Sequence, residues 1–217
     1  MTNEIEKDGQ MTQDPNRGGS FPVILASGST SRRSLLTNAG LQFGVEAAHV
    51  DEDEIKLALK AEGASAAQTA ETLAELKAQR VSRRYPGVLV IGADQMLECN
   101  GVWFDKPEDL DHAAAHLVAL RDKDHTLLSS VCVVRDGVRL WHHNEVATLT
   151  MRNLSDDFIK DYLVQVGEDA LTSVGAYQLE GRGIQLFARI KGDYFSILGL
   201  PLLPLLDFLR GHGAVAK

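Results

Sequence analysis

Val23-Ile-Leu-Ala-Ser-Gly-Ser-Thr-Ser-Arg-Arg33 runs into Ser34-Leu-Leu-Thr-Asn-Ala-Gly40, and this stretch decides the reading of the chain. Val23, Ile24 and Leu25 make a short apolar strand. Ser27 to Ser31 are small and polar. Ser34 to Ala39 follow a helical pattern that Gly40 stops. A strand feeding a helix through a short polar turn is the repeating unit of α/β proteins. The helix N-terminus offers unpaired N–H groups and a partial positive charge. Arg32 and Arg33 add guanidinium forks to that turn, where the helix dipole alone favours acids. An anion seated between the two arginines accounts for them, with phosphate the first choice; a solvated basic turn is the competing reading.

Outward from this stretch the chain alternates strand and helix in the order β-α-α-β-β-α-β-β-α-β-β-α, without internal repeats. An acidic cluster spans Asp51 to Glu54. A long helix is predicted from about Ser65 to Arg84, stopped by Pro86-Gly87. Val88 to Ala93 is nearly all apolar, as in a strand covered on both faces. Asn100-Gly101 and Asp136-Gly137 each signal a tight hairpin, the second between Ser129–Arg135 and Val138–Met151. Helices are predicted over Asp109 to Arg121 and over Ser155 to Val166, the latter capped by Ser155. Ile184 to Ile190 reads as a strand, and Pro201 opens a last helix through Arg210. The pattern divides into a flexible tail at 1–20, one mixed α/β domain at 21–212 and a short C-terminal tail at 213–217.

Composition narrows the function classes. The chain has 217 residues, is 44% hydrophobic and 24% charged, and carries a net charge of −8. An acidic chain argues against a general nucleic-acid or anionic-membrane binder, yet a nucleotide needs only a local basic pocket. No apolar run approaches the roughly 20 residues of a membrane span. The polar first 20 residues lack the apolar centre of a signal peptide, which predicts a cytoplasmic protein. Cys99 and Cys132 have no metal-ligand spacing and read as reduced core thiols.

Several residues stand out chemically. Lys77 shares a helical face with Ala70, Leu73, Ala74 and Val81. Its stem can snorkel to the rim, or its ammonium can enter a cleft that binds phosphate; the pattern leaves both open. Asp94 follows the buried strand Val88–Ala93, at a strand end where open α/β sheets gather ligands; a turn-forming aspartate is the alternative. Gln95 is a poor apolar continuation, and the hairpin folds Lys106-Pro107 back towards Asp94. Of Asp51 to Glu54, at least three acids read as a solvated face or helix N-terminus. One inward-facing acid of the four would pair with Asp94 to hold Mg²⁺. His112 and His116 have i, i+4 spacing but no adjacent glutamate of the zinc-protease kind, and read as surface or core-edge residues. His142 and His143 point to opposite faces of a strand and cannot share a site. No Walker A motif, Rossmann fingerprint or nucleophile elbow occurs.

Seven short pieces, in order, resemble the Maf-type (septum-formation-inhibitor-like) nucleoside triphosphate pyrophosphatases. They are LASGSTSRRSLL at 25–36, VDE at 50–52, LAELKA at 73–78, IGADQ at 91–95, KP at 106–107, GAYQLEG at 175–181 and GLPL at 199–202. The resemblance implies a mixed-sheet, two-lobed elongated fold like that of inosine triphosphate pyrophosphatases, with the site in the central cleft. It implies hydrolysis of a nucleoside triphosphate to the monophosphate and pyrophosphate with a divalent cation, Mg²⁺ or Mn²⁺. A non-catalytic nucleotide-binding regulator of division would use the same pocket. By position Asp94 matches the family's proton acceptor and Glu52 its second acid, the pair that would hold the metal. Ser27, Arg32, Arg33, Lys77 and Lys106 match phosphate-contacting positions. Gln95 with Glu180 resembles the 7-methyl-GTP-preferring members rather than the dTTP/UTP-preferring ones. Ser31 stands where those members carry tryptophan, and Thr30 and Ser31 replace the proline that usually precedes the arginines. A homodimer is a further implication of the family.

Overall fold

The computed structural model describes residues 22–216, so the tail expected at 1–20 lies outside the described residues. The apolar run Val23–Leu25 is β1, fully surrounded by core, and Thr30–Asn38 is α1. Ser29 caps α1 by accepting the Arg32 amide. Gly44–Val45 (β2) pairs parallel with β1. Glu52–Ala61 forms α2, with Asp51 as N-cap and three acids in its first turn, as the dipole favours. Ala66–Ser82 forms α3 behind a Ser65/Gln68 capping box. Leu89–Cys99 (β3) and Val102–Phe104 (β4) meet at Asn100-Gly101, both with positive φ, as the tight hairpin requires. Leu110–Leu120 is α4. Asp124–Arg135 (β5) and Val138–Met151 (β6) make the second hairpin, at Asp136-Gly137. Asp156–Val166 is α5; Phe187–Lys191 (β7), Tyr194–Ile197 (α6) and Leu202–Gly211 (α7) complete the chain.

The strands make one seven-stranded mixed sheet in the order β2-β1-β3-β5-β6-β7, with β4 also on β3. The expected mixed α/β class is therefore borne out. Four local expectations are corrected. β3 does not stop at Ala93 but runs to Cys99, because β5 pairs with it from Val90 through Glu98. β5 begins at Asp124 rather than Ser129. The strand expected from Ile184 begins at Phe187, after a 3-10 segment over Arg182–Leu186. Ala214 and Val215, expected in a tail, pack against the core beside α7.

The apolar core has distinct parts. Leu25, Leu36, Ile91, Leu205 and Leu209 join α1 and α7 to one face of the sheet. Ile24, Ala74, Ala78, Val81 and Val90 join α3 to the other. A separate cluster at the far ends of β3, β5 and β6, around Leu97, Leu127 and Met151, packs α4 and α5. The cleft opens where these parts meet, and β3 shows why. One edge of β3 pairs with β5 throughout. The other pairs with β1 only at Leu89–Ile91 and with β4 only at Leu97–Cys99. Between them β3 has no neighbouring strand on that edge among the described residues, and Asp94 lies at the middle of this gap.

Candidate active site

A cleft of about 930 Å³ is lined by the turn after β1, the start of α2, the centre of β3, the segment after β4 and the loops at 172–180 and 197–199. The chain reaches it from both sides because β1 ends at Leu25. The Ala26 amide still donates to the Ile91 carbonyl, and the next residues turn away into α1.

Alternation along β3 sends Asp94 towards α3 and Gln95 to the opposite face. Asp94 is buried, and Lys77 Nζ donates to its Oδ1 at 2.6 Å. The same ammonium lies 2.8 Å from Glu52 Oε1. The snorkelling reading of Lys77 is thus set aside: its ammonium is buried and bridges two carboxylates. Asp94 Oδ2 is buried without a hydrogen-bond partner among the described residues. Burial raises the Asp94 carboxyl above the usual range, outweighing the lowering by Lys77 and Arg32. Within the acidic cluster, Asp51 caps α2, Asp53 and Glu54 are exposed, and Glu52 turns inward.

Arg32 is buried at the N-terminus of α1. Its Nε donates to the Gly199 carbonyl at 2.8 Å and its Nη1 to Ser27 Oγ at 3.2 Å. Ser27 Oγ also accepts from the Ser29 amide, so one hydroxyl holds the turn and the guanidinium together. Burial lowers the Arg32 pKa, against the raising influence of Asp94 and Glu52. Lys106, carried back by the β3–β4 hairpin, lines the same cleft. Burial and the Arg32 charge pull its ammonium below the ordinary value.

Arg33 is the exception. It is exposed and does not line the cleft, since adjacent residues on a helix point about 100° apart and Arg32 takes the inward position. The structure therefore does not seat an anion between two arginines. Asp94 is likewise corrected from a strand end to the centre of a strand. The end that matters is that of β1.

Ser31, Gln95 and Glu180 all line the cleft. Gln95 Nε2 donates to Ser129 Oγ at 2.8 Å and to the carbonyls of Ser196 at 3.0 Å and Ile197 at 3.1 Å. Ser129 gives its own proton to the Ser196 carbonyl, so all three partners accept and the amide orientation is fixed. Two cleft residues escaped the sequence reading, Lys56 and Asp105, which form an ion pair at 2.5 Å. Their signal was available: Lys56 is one turn beyond Glu52, and Asp105 precedes Lys106.

His112 is exposed at the start of α4, and His116 meets Phe104 edge-on at the core margin, as expected. His142 faces Glu71 while His143 stacks on Trp141, on opposite faces of β6. Cys99 and Cys132 are free and buried. Among the described residues no helix is long and apolar enough to cross a membrane.

This arrangement, a buried carboxylate beside cations in a cleft cut into a mixed sheet, coincides with a family match. The sequence pattern of the Maf-like proteins covers residues 22–212, and the chain belongs to that family. The chain is 60% identical over 190 residues to a nucleoside triphosphate pyrophosphatase of Paramagnetospirillum magneticum, covering 88% of this chain and 98% of that protein. It is 58% identical to one of Granulibacter bethesdensis, over 89% and 98%. It is 52% identical to a 7-methyl-GTP pyrophosphatase of Rhizobium meliloti, over 89% and 97%.

Proposed function

We propose that this chain hydrolyses a nucleoside triphosphate to the monophosphate and pyrophosphate in the cleft around Asp94. The carrying observation is the Asp94 carboxylate: buried, raised in pKa, ion-paired through one oxygen and, among the described residues, unpartnered at the other. In this reading the triphosphate lies along the turn Ser27–Arg32, with Lys77 and Lys106 against its oxygens. These cations spread the polyphosphate charge as pyrophosphate leaves. Asp94 Oδ2 accepts a proton from, or orients, the water that attacks the α-phosphorus. A raised carboxylate is a better base for that step. Lys77 keeps two acids side by side without mutual repulsion. A binding protein without turnover gains nothing from a buried carboxylate facing its anion, which favours the enzyme over a regulator.

The donor set suits a hard divalent cation. Among the described residues no three acidic, histidine or cysteine side chains converge. Glu52 and Asp94 nevertheless supply carboxylate oxygens, and Asp94 Oδ2 lacks a partner. Mg²⁺ or Mn²⁺ characteristically takes one or two carboxylates and fills its shell with phosphate oxygens and water. Held there, the ion would supply further charge neutralisation on the phosphates.

For the base, Gln95 has committed its amide nitrogen, so its carbonyl oxygen is what it can offer. Glu180, when ionised, also only accepts. Two acceptors fit the N1–H and N2–H donors of guanine better than the carbonyl-flanked N–H of uracil or thymine. The relative named for 7-methyl-GTP supports the same choice. A guanine-type triphosphate is expected to exceed UTP and dTTP by roughly tenfold to a hundredfold in kcat/KM. Pyrophosphate release over 7-methyl-GTP, GTP, UTP and dTTP, with and without Mg²⁺ or Mn²⁺, tests both parts. Absence of turnover on all of them would sink the enzyme. A UTP or dTTP preference, or an unchanged ranking in Glu180→Gln, would sink the base assignment alone.

A further inference from the structure

Helix α2 brings Glu52 to the cleft, and its apolar side chains are at most half-buried, Ile55 and Leu59 among them. None of its residues is buried, none belongs to a core cluster, and Leu57 is 71% exposed. Its polar holds fall at 52, 56 and 60, spacing that keeps them near one face of a helix. Glu52 meets Lys77 of α3, Lys56 meets Asp105, and Lys60 lies 5.0 Å over the Trp103 ring of β4. The middle hold is the best sheltered of the two on the β4 side, with the Lys56 side chain only 17% exposed. Burial works against the Lys56 charge, but its bond to Asp105, with Asp94 and Glu52 nearby, leaves its pKa raised.

We infer that Lys56 is a positioning residue: through Asp105 it ties α2 across the cleft mouth and so fixes Glu52 against Lys77. This rests on the pyrophosphatase reading for the role of Glu52, but not for the tie itself. Asp105 is adjacent to Lys106, so the same pair joins the acidic wall of the cleft to the basic one. A helix fastened by charges at three points, with no buried side chain, opens locally more readily than its neighbours. Losing one point shifts that opening first.

Amide exchange of the intact protein, read over 52–61 with 66–82 as internal reference, tests the tie without any substrate. In the wild type α2 is expected to exchange faster than α3. Lys56→Met is expected to accelerate α2 by roughly fivefold, the upper range for a partly exposed ion pair, and to leave α3 unchanged. Exchanging the charges, Lys56→Glu with Asp105→Lys, is expected to restore the wild-type rate. Kinetics then test the positioning. Lys56→Met is expected to lower kcat/KM about fivefold in the wild-type background and not at all in Glu52→Gln. Unchanged α2 exchange in Lys56→Met, no restoration by the exchanged pair, or an equal kinetic loss in both backgrounds would overturn the inference. A chain that hydrolyses no nucleotide would instead refute the pyrophosphatase reading and leave the exchange arms to decide this one.

Discussion

Asp94 and Lys77 come from different elements, and an ion pair at 2.6 Å joins them. Replacing the carboxylate by its amide keeps the shape and removes both the basicity and the buried negative charge. Asp94→Asn is therefore expected to abolish pyrophosphate release while keeping the fold; a folded variant with substantial turnover would end the role. Lys77→Met is expected to weaken triphosphate binding by about 1.5–3 kcal/mol and monophosphate binding by less. Equal losses for the two nucleotides, measured by calorimetry, would mean that the ammonium serves only the acids. These residues were visible in the sequence because each broke a local pattern: a lysine on an apolar face, an acid in an apolar run. Arg33 misled for the opposite reason. Its type and position fitted an anion site, and only the angular step of the helix turned it outward.

Between α3 and β3 the distance is set by small side chains, and that distance lets Lys77 reach Asp94. A Cβ added at Gly92 would lie 2.0 Å from the Ala74 carbonyl oxygen and 2.8 Å from Ala78 Cβ. The first obstacle is backbone and cannot rotate away. Gly92→Ala is expected to cost about 3 kcal/mol, the upper part of the overpacking range, and to depress turnover by moving α3 off the sheet. Urea titration checks the first effect. Ala78→Gly added to it should not rescue stability, because the carbonyl remains. The helix itself was legible from its periodicity and caps. The extent of β3 was not, since Asp94 and Gln95 look like an end until the partner strand is known. α2 also escaped, its acids reading equally well as a solvated face. The 3-10 segments at 167–172 and 182–186 carry no periodicity strong enough to read.

Across the molecule, a buried histidine outside the cleft is expected to make stability depend on pH. His125 is buried in the far cluster, with Nε2 2.8 Å from the Tyr177 hydroxyl and Nδ1 unpartnered among the described residues. Burial pushes its pKa down from 6.5 to about 4, with Asp124 opposing weakly. The unfolded chain thus takes up a proton near pH 6.5 that the folded chain refuses until about pH 4. Stability from this group is complete above the unfolded value and is lost as pH falls through that window, by about 3 kcal/mol in all. Urea midpoints between pH 7 and 4 are expected to fall more steeply for the wild type than for His125→Gln. Parallel slopes would remove His125 as the cause.

The Arg32–Gly199 bond spans 167 residues of chain. Ribosomes make proteins from the N-terminus, so the turn after β1 leaves the tunnel long before the carbonyl that steadies its guanidinium has been synthesised. A nascent chain halted between Lys106 and Gly199 would already carry Ser27, Arg32, Glu52, Lys77, Asp94 and Lys106, and would still lack the carbonyl that holds Arg32. Synthesis itself thus leaves the Arg32 guanidinium without this partner until Gly199 has been made.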